Sequence, residues 1–346
     1  MNKRIIEGTF VNGELPTESK LVDELKVSKT TVRLAEARLI AENKIVKLQG
    51  KGTFVKGYTA TGTVKRNIYV IANPHFRIGK LEYWDAVYDG IINALDYDRF
   101  ALKLIIPPED SRRQHEFMLQ EQITSDNSSI IFLGEFPALT GYVAERRESL
   151  PMVRVGIPGP ELIAGVSSDC EIEMLIAVKY LYSLGHRRIA FIGGFENDAG
   201  TKIKIRVLND FAAAHSCTIP PAYIINTDYA SFEAHLNAAD RLMTLPERPT
   251  AVICINDQVA QTVCAGIKRT GFSIPDDVSV IGCDATSAQK NDPVLTTVDT
   301  HPAMIGKRAL ELAGTPGDKF WLLSERISPV LLIGKSTAPV RPEKEV

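Results

Sequence analysis

Within five positions the chain places Lys29, Thr30, Thr31 and Arg33. Two cations and two hydroxyls this close together can donate to phosphate oxygens and to the edges of bases, provided one element exposes them side by side. Further along, the stretch "KLQGKGTFV" over 47–55 sets Lys51 between Gly50 and Gly52. That reads as a tight hairpin with a positive charge at its tip, and Gln49, Gly50 and Lys51 join the same candidate surface. Residue types that do covalent chemistry are not arranged for it. There is no G-x-S-x-G, no H-E-x-x-H, no G-x-x-x-x-G-K-[ST] and no G-x-G-x-x-G between a strand and a helix. The six histidines are scattered, and His186, in a helix-to-strand turn, reads as a structural hydrogen bonder. The five cysteines show no C-x-x-C spacing, so reduced structural thiols are expected, with no metal and no cofactor.

The elements that must expose the basic cluster are legible. Thr17 can cap a helix whose first turn holds Glu18 and whose apolar face is Leu21, Val22 and Leu25. "KVSK" is a short turn, and Ser28 caps a second helix with Val32, Ala35 and Leu39 on one face. Asn43 is a left-handed cap at its end. Helix, turn, helix is the pattern in which the second helix enters the DNA major groove with its N-terminal residues, here Lys29, Thr30, Thr31 and Arg33. The hairpin that follows is then a wing. Charge is divided in the same sense. Residues 1–57 hold 11 Lys and Arg against 7 Asp and Glu, and the remainder 29 against 35.

In order and spacing, "LPTESKL", "VSKTTVR" and "LQGKGTFV" resemble the GntR-type winged helix. Ser19 stands where that family usually has an arginine that grips DNA, Lys29 replaces another arginine, and Glu36 falls where a core leucine is expected. Only "MNKRIIE" precedes Gly8, where the family's first helix normally starts well upstream.

The polar stretch "GYTATGTVKR" over 57–66 reads as a linker. Beyond it, apolar runs of strand length alternate with helical segments. "NIYVIAN", "ALKLIIP", "SSIIFLG", "PMVRVG", "RRIAFIGG", "AYIINTD", "AVICIN" and "VSVIGCD" are the strands. A helix with Trp84, Val87, Ile91 and Leu95 on one face follows the first. This is the signature of doubly wound parallel α/β sheets, with sites at the strand C-terminal ends. The length suggests two lobes around a cleft. No apolar run reaches the ~20 residues of a membrane helix and no secretory core opens the chain, so a cytoplasmic protein without membrane contact is expected.

Three runs, "AVKYLYSLGHRRIAFIGG", "TAVICINDQVAQTVCAGIKRTGFSIPDDVSVIGCD" and "PVLTTVDTHPAMIGKRALELA", resemble the effector domain of LacI/GalR-type repressors, which shares its fold with periplasmic sugar-binding proteins. Together with the winged helix, the chain resembles the arabinose-repressor-type hybrid regulators. The implied fold is a winged helix-turn-helix over 1–56, the linker 57–66, and a two-lobed domain over 67–340. Lobe 1 is expected over about 67–163 and 290–325, and lobe 2 over about 164–289 and 326–340.

The implied effector site lies between the lobes. Matching position by position gives Asn73, His75 and Phe76 after the first strand, Asp169 in "GVSSD", Tyr229 after "IINTD", Asn256 and Asp257 ending "AVICIN", and Asp284 ending "VSVIGCD". Carboxylates and amides suit sugar hydroxyls because each pairs with several donors and acceptors. Two bland readings stand beside these: Asp257 as a helix cap, and Tyr229 as an ordinary surface aromatic. The family's sugar-gripping arginine precedes an aromatic by four residues. Counted back from Phe211 that position is Val207, with Arg206 next to it as the candidate. "LLIGKST" carries Gly334 and Lys335 where the family tends to arginine and glutamate. The resemblance implies a homodimeric repressor that binds a palindromic operator and a carbohydrate effector, and that is not an enzyme. A solute-binding protein of the same fold is the alternative.

Overall fold

The computed structural model describes residues 4, 10, 13–42, 44–48, 52–55, 65–74, 82–124, 127–157, 163–288, 294–314 and 322–341. Of the residues singled out above, Asn43, Gln49, Gly50, Lys51, His75 and Phe76 lie outside these, as does most of the expected linker.

At the N-terminus, α1 (Glu18–Leu25) and α2 (Lys29–Ala41) are followed by the antiparallel pair β1 (Ile45–Leu48) and β2 (Gly52–Val55). Both expected caps form. The Thr17 hydroxyl accepts from the Lys20 amide at 3.4 Å, and the Ser28 hydroxyl accepts from the Thr31 amide at 3.1 Å. Lys26 makes the turn between the helices in the left-handed region, at φ 53°. Of the apolar residues expected on α1, only Leu21 is buried, and Leu25 is exposed. The small core joins Phe10, Leu15, Leu39, Ile45 and Val55. Val32 and Leu39 face inward on α2 as expected, and Glu36 is buried beside them, more deeply than Ala35.

Two six-stranded sheets build the rest. The first contains β3 (Arg66–Ala72), β4 (Phe100–Ile105), β5 (Ser128–Leu133), β6 (Met152–Val155), β7 (Ala164–Ser168) and β13 (Ser324–Ile327). Its order is β13-β7-β6-β5-β3-β4, with every pairing parallel. Period-two alternation gives it two apolar faces. Ile68, Val70, Ile131 and Leu133 pack with α3 (Glu82–Asn93) and α10 (Pro302–Gly314), while Ile71, Ile130 and Phe132 face α4 (Ser111–Gln120) and α5 (Thr140–Arg146). Helices α3 and α10 touch backbone to backbone. A Cβ on Gly90 would stand 2.0 Å from the Ala303 carbonyl oxygen, and one on Gly306 would stand 1.9 Å from that of Val87.

The second sheet has the order β14-β12-β11-β10-β8-β9, parallel except for β14. Its strands are β8 (Ile189–Ile192), β9 (Ile224–Ile225), β10 (Ala251–Cys254), β11 (Ser279–Cys283), β12 (Thr296–Asp299) and β14 (Val330–Leu332). Helices α6 (Cys170–Ser183), α7 (Ala199–Ala214), α8 (Phe232–Met243) and α9 (Asp257–Arg269) enclose it around one large core. His186 is structural as expected, tied to Thr250 Oγ1 at 2.9 Å and to the Ala338 carbonyl at 3.0 Å.

The lobe boundaries differ from those expected. Strand β7 pairs with β6, so 164–168 belongs to lobe 1, and β12 pairs with β11, so 296–299 belongs to lobe 2. The chain therefore crosses after Ser168, after Asp299 and again after Ile327, between β13 and β14. The expected divisions at 164, 290 and 326 fell early because "AGVSS" and "TTVD" are too polar or too small to stand out as apolar runs.

Candidate DNA-reading helix and interlobe cleft

On α2, Lys29, Thr30, Thr31 and Arg33 are all exposed in the first two turns. Around the helix Thr30 lies opposite the buried Val32, Glu36 and Leu39, Thr31 and Arg33 flank them, and Lys29, three residues before Val32, sits at the exposed start of that same face. The Thr31 hydroxyl is engaged with Ser28 Oγ at 2.8 Å. Arg33 is held from α1, its Nε donating to Glu18 Oε2 at 2.9 Å. Lys47 of β1 reaches Glu18 Oε1 at 3.4 Å and the buried Glu36 at 3.6 Å, and Lys29 stands 3.9 Å from Glu18. The Arg33 guanidinium, followed by Lys47, holds the Glu18 carboxyl below its ordinary pKa. Sequence reasoning missed Glu18 and Lys47 as parts of this surface. Their only signal is charge, and the pairings join residues 15 and 29 positions apart.

In the second sheet, the register that pairs Ile253 with Ile281 brings the ends of β10 and β11 level, and these ends carry Asn256 and Asp284. Asn256 caps α9, its Oδ1 accepting from the Val259 amide at 2.8 Å. Its Nδ2 has no protein partner among the described residues. Asp284 Oδ1 accepts from Thr300 Oγ1 at 3.1 Å, and Oδ2 is likewise unengaged among them. Asp284 and Ala285 sit at φ 89° and 56°, a left-handed strain for residues other than glycine. Burial pushes the Asp284 carboxyl up to about 7.

Asp257 does not share this role. It is fully buried, Oδ1 accepting from Thr297 Oγ1 at 2.6 Å and Oδ2 facing the Ser287 amide at 3.4 Å. It clamps α9 to β12, and burial raises its carboxyl to about 6. It is also not the cap, which is its neighbour Asn256.

Arg206 is corrected too. It lies on the outer face of α7, paired with Glu171 and largely exposed. The residue turned inward is Lys204, which shares the buried face with Leu208 and Phe211. Its ammonium meets Glu173 Oε2 at 2.7 Å and Cys283 Sγ at 3.8 Å, above a cavity of about 10 Å³. Burial opposes the charge on Lys204, but the acidic groups around it, Cys283 and Glu173 foremost, hold its pKa well above the ordinary value.

Tyr229 is packed rather than loose on the surface. Its ring meets Phe195 edge-on at 5.3 Å and its hydroxyl reaches Asp198 Oδ2 at 3.4 Å. Asp198 in turn caps α7 at the Thr201 amide, at 2.7 Å. Asp169 caps α6 through Oδ1, at 3.0 Å from the Glu171 amide, and binds Arg326 through Oδ2 at 3.0 Å, so it ties the first crossover to β13. Asn73 stands half-buried just after β3. Across the cleft, α3 of lobe 1 leads with Glu82 and Tyr83. Glu82 Oε2 accepts from Thr286 Oγ1 of lobe 2 at 3.2 Å. Burial, then the negative charges of Asp284 and Glu173, push the Tyr83 phenol well up. Thus lobe 2 gathers Asn256, Asp284 and Tyr229 with the unforeseen Lys204, Glu173 and Phe195, and lobe 1 contributes Tyr83.

Comparison with known proteins fits both halves. The model described as bacterial regulatory proteins, gntR family, matches residues 1–55, and that of the periplasmic binding protein-like domain matches 178–315. The chain joins a GntR-family regulatory domain to a periplasmic-binding-protein-like domain. The HTH-type transcriptional repressor CytR of Escherichia coli K12 is 32% identical over 202 residues, 58% of this chain and 59% of that one. The match therefore spans well under two thirds of that relative. The arabinose metabolism transcriptional repressor of Geobacillus stearothermophilus is 28% identical over 323 residues, 89% of this chain and 86% of that one. The lac repressor dimer bound to operator and the anti-inducer ONPF superposes with a TM-score of 0.68 at 16% identity, over 80% of this chain and 96% of that one. The two-lobed α/β fold is thus that of LacI-family regulators.

Proposed function

We propose that this GntR/LacI-type hybrid is a transcriptional repressor that binds a palindromic operator as a homodimer and answers to a carbohydrate held between its lobes. The observation that carries the reading is the joining of the two domains in one chain, with an exposed basic turn on the second helix of the first. A solute-binding protein has no use for the winged helix. Likeness along most of its length to an arabinose repressor supports both the regulatory role and the effector class.

Each α2 enters a major groove, with Lys29 and Arg33 supplying cations and Thr30 a hydroxyl. Gln49, Gly50 and Lys51, expected from the sequence to meet phosphate or minor groove, lie outside the described residues. In the cleft, the Asn256 amide donates to a sugar hydroxyl while Asp284 Oδ2 accepts from another. Tyr229 and Phe195 offer an aromatic wall, and Asn73 adds an amide from lobe 1. Effector binding changes how the lobes meet at the Glu82–Thr286 contact and so the spacing of the two winged helices.

Fluorescence anisotropy on the DNA upstream of the coding region, with excess competitor and at two salt concentrations, tests the DNA half. Saturable, salt-sensitive binding that survives competitor supports it. A panel of mono- and disaccharides added to that complex tests the other half, and release by none of them counts against the carbohydrate.

A further inference from the structure

Leu34 is an exposed apolar side chain set among charges. It is 68% exposed, in the second turn of α2, one residue beyond Arg33. Val32, Glu36 and Leu39 make the buried face of the helix. At 100° per residue Leu34 lies on the opposite side, nearly in line with Thr30 one turn before it. Arg33 and Arg38 stand to either side of it, 62% and 83% exposed, each paired with one carboxylate, Glu18 at 2.9 Å and Glu42 at 2.8 Å, and Lys29, 57% exposed, stands at the start of the helix.

The charge identifies what covers such a residue. Both guanidinium groups keep most of their surface in water despite these exposed pairs, so they are open to a polyanion, and the two rows of phosphates bordering a major groove supply it. Between those rows the base edges are polar, with one exception, the C5-methyl group of thymine. An aliphatic side chain on the outermost line of the helix, with cations reaching to either side, matches that group. Against the amino group of cytosine or adenine it would bury a donor with no acceptor, which is unfavourable. We propose that Leu34 is a specificity-determining residue that reads a thymine methyl in each operator half-site. This rests on α2 entering the major groove as proposed above.

Deoxyuridine tests it, because it differs from thymidine by that methyl alone and keeps every hydrogen bond. The full chain first selects a duplex from a randomised library. Each thymine of one half-site is then replaced in turn by deoxyuridine, and affinity is measured for the wild type and for Leu34→Ala. At one position the wild type loses about fourfold, the effect of one methyl withdrawn from burial, and Leu34→Ala loses nothing there. At other thymines the two proteins behave alike. Leu34→Ala is a surface change on a good helix former, and circular dichroism verifies its fold. Leu34→Gln, which keeps the length and adds an amide, should show the same flat profile at that position. If the wild type shows no deoxyuridine penalty, or both proteins show the same one everywhere, Leu34 does not read a methyl. If no duplex is selected at all, it is the DNA-binding reading that falls, and the proposal goes with it.

Discussion

Arg33 and Asp257 illustrate two ways a polar residue is used in this protein. Arg33 is exposed and held in place by Glu18, its guanidinium turned to solvent rather than folded inward. Arg33→Ala should weaken operator binding by tenfold or more, in the range expected for loss of an arginine contact to a base edge or phosphate. Effector affinity should not change, and calorimetry with the sugar checks this. Equal loss of both would mean that the substitution unfolds something. Asp257 is folded inward, and its carboxyl is raised to about 6. A carboxyl whose pKa in the folded state exceeds its unfolded value of about 3.9 stabilises the fold fully below that value. The contribution is lost as pH rises through the folded pKa. Asp284, raised to about 7, acts in the same direction. Thermal unfolding measured from pH 4 to 8 should therefore carry a component of stability that declines over that span. Asp257→Asn keeps an oxygen for Thr297 and should remove the part of the decline that runs from about pH 4 up to the folded pKa of about 6. An unchanged profile would show that Asp257 is not the group titrating.

At the scale of elements, α2 has a core position that its family type fills with leucine and that here holds Glu36, 4% exposed. Its charge is met by Lys47 of β1, which also reaches Glu18. Replacing a buried ion pair by an apolar side chain is often neutral or stabilising. Glu36→Leu should stabilise the winged helix by about 1–2 kcal/mol, since Lys47 keeps Glu18 and is itself largely in water. Slower amide exchange in α2 would show it, and faster exchange would mean that the Glu36–Lys47 pair is needed to seat β1 on the helix. The elements themselves were largely legible. Apolar runs of strand length located eight strands, and the caps Thr17 and Ser28 located both helices. What stayed hidden were strands with little apolar character, such as "TTVD" and "SERI", whose pairing is set by the sheet around them. Lys204 was hidden for a related reason. A lysine on a helix reads as solvated until a partner 31 positions away, Glu173, is folded against it. Arg206, two residues on, looked the better candidate and faces outward.

At the scale of the whole molecule, the proposed repressor couples a DNA-reading domain to a two-lobed sensor. If both sites belong to one equilibrium, effector and operator must alter each other's affinity by the same factor. Asp284→Ala should abolish the sugar's effect on operator affinity and leave operator binding intact. A response at wild-type sugar concentrations would move the effector site elsewhere. The most direct test of the central claim is selection of duplexes from a randomised library by the full chain, with Arg33→Ala in parallel. The account predicts enrichment of one inverted repeat by the wild type, with spacing in whole helical turns, and little or no enrichment by Arg33→Ala. No enriched sequence, or the same one with and without the Arg33 side chain, would contradict it.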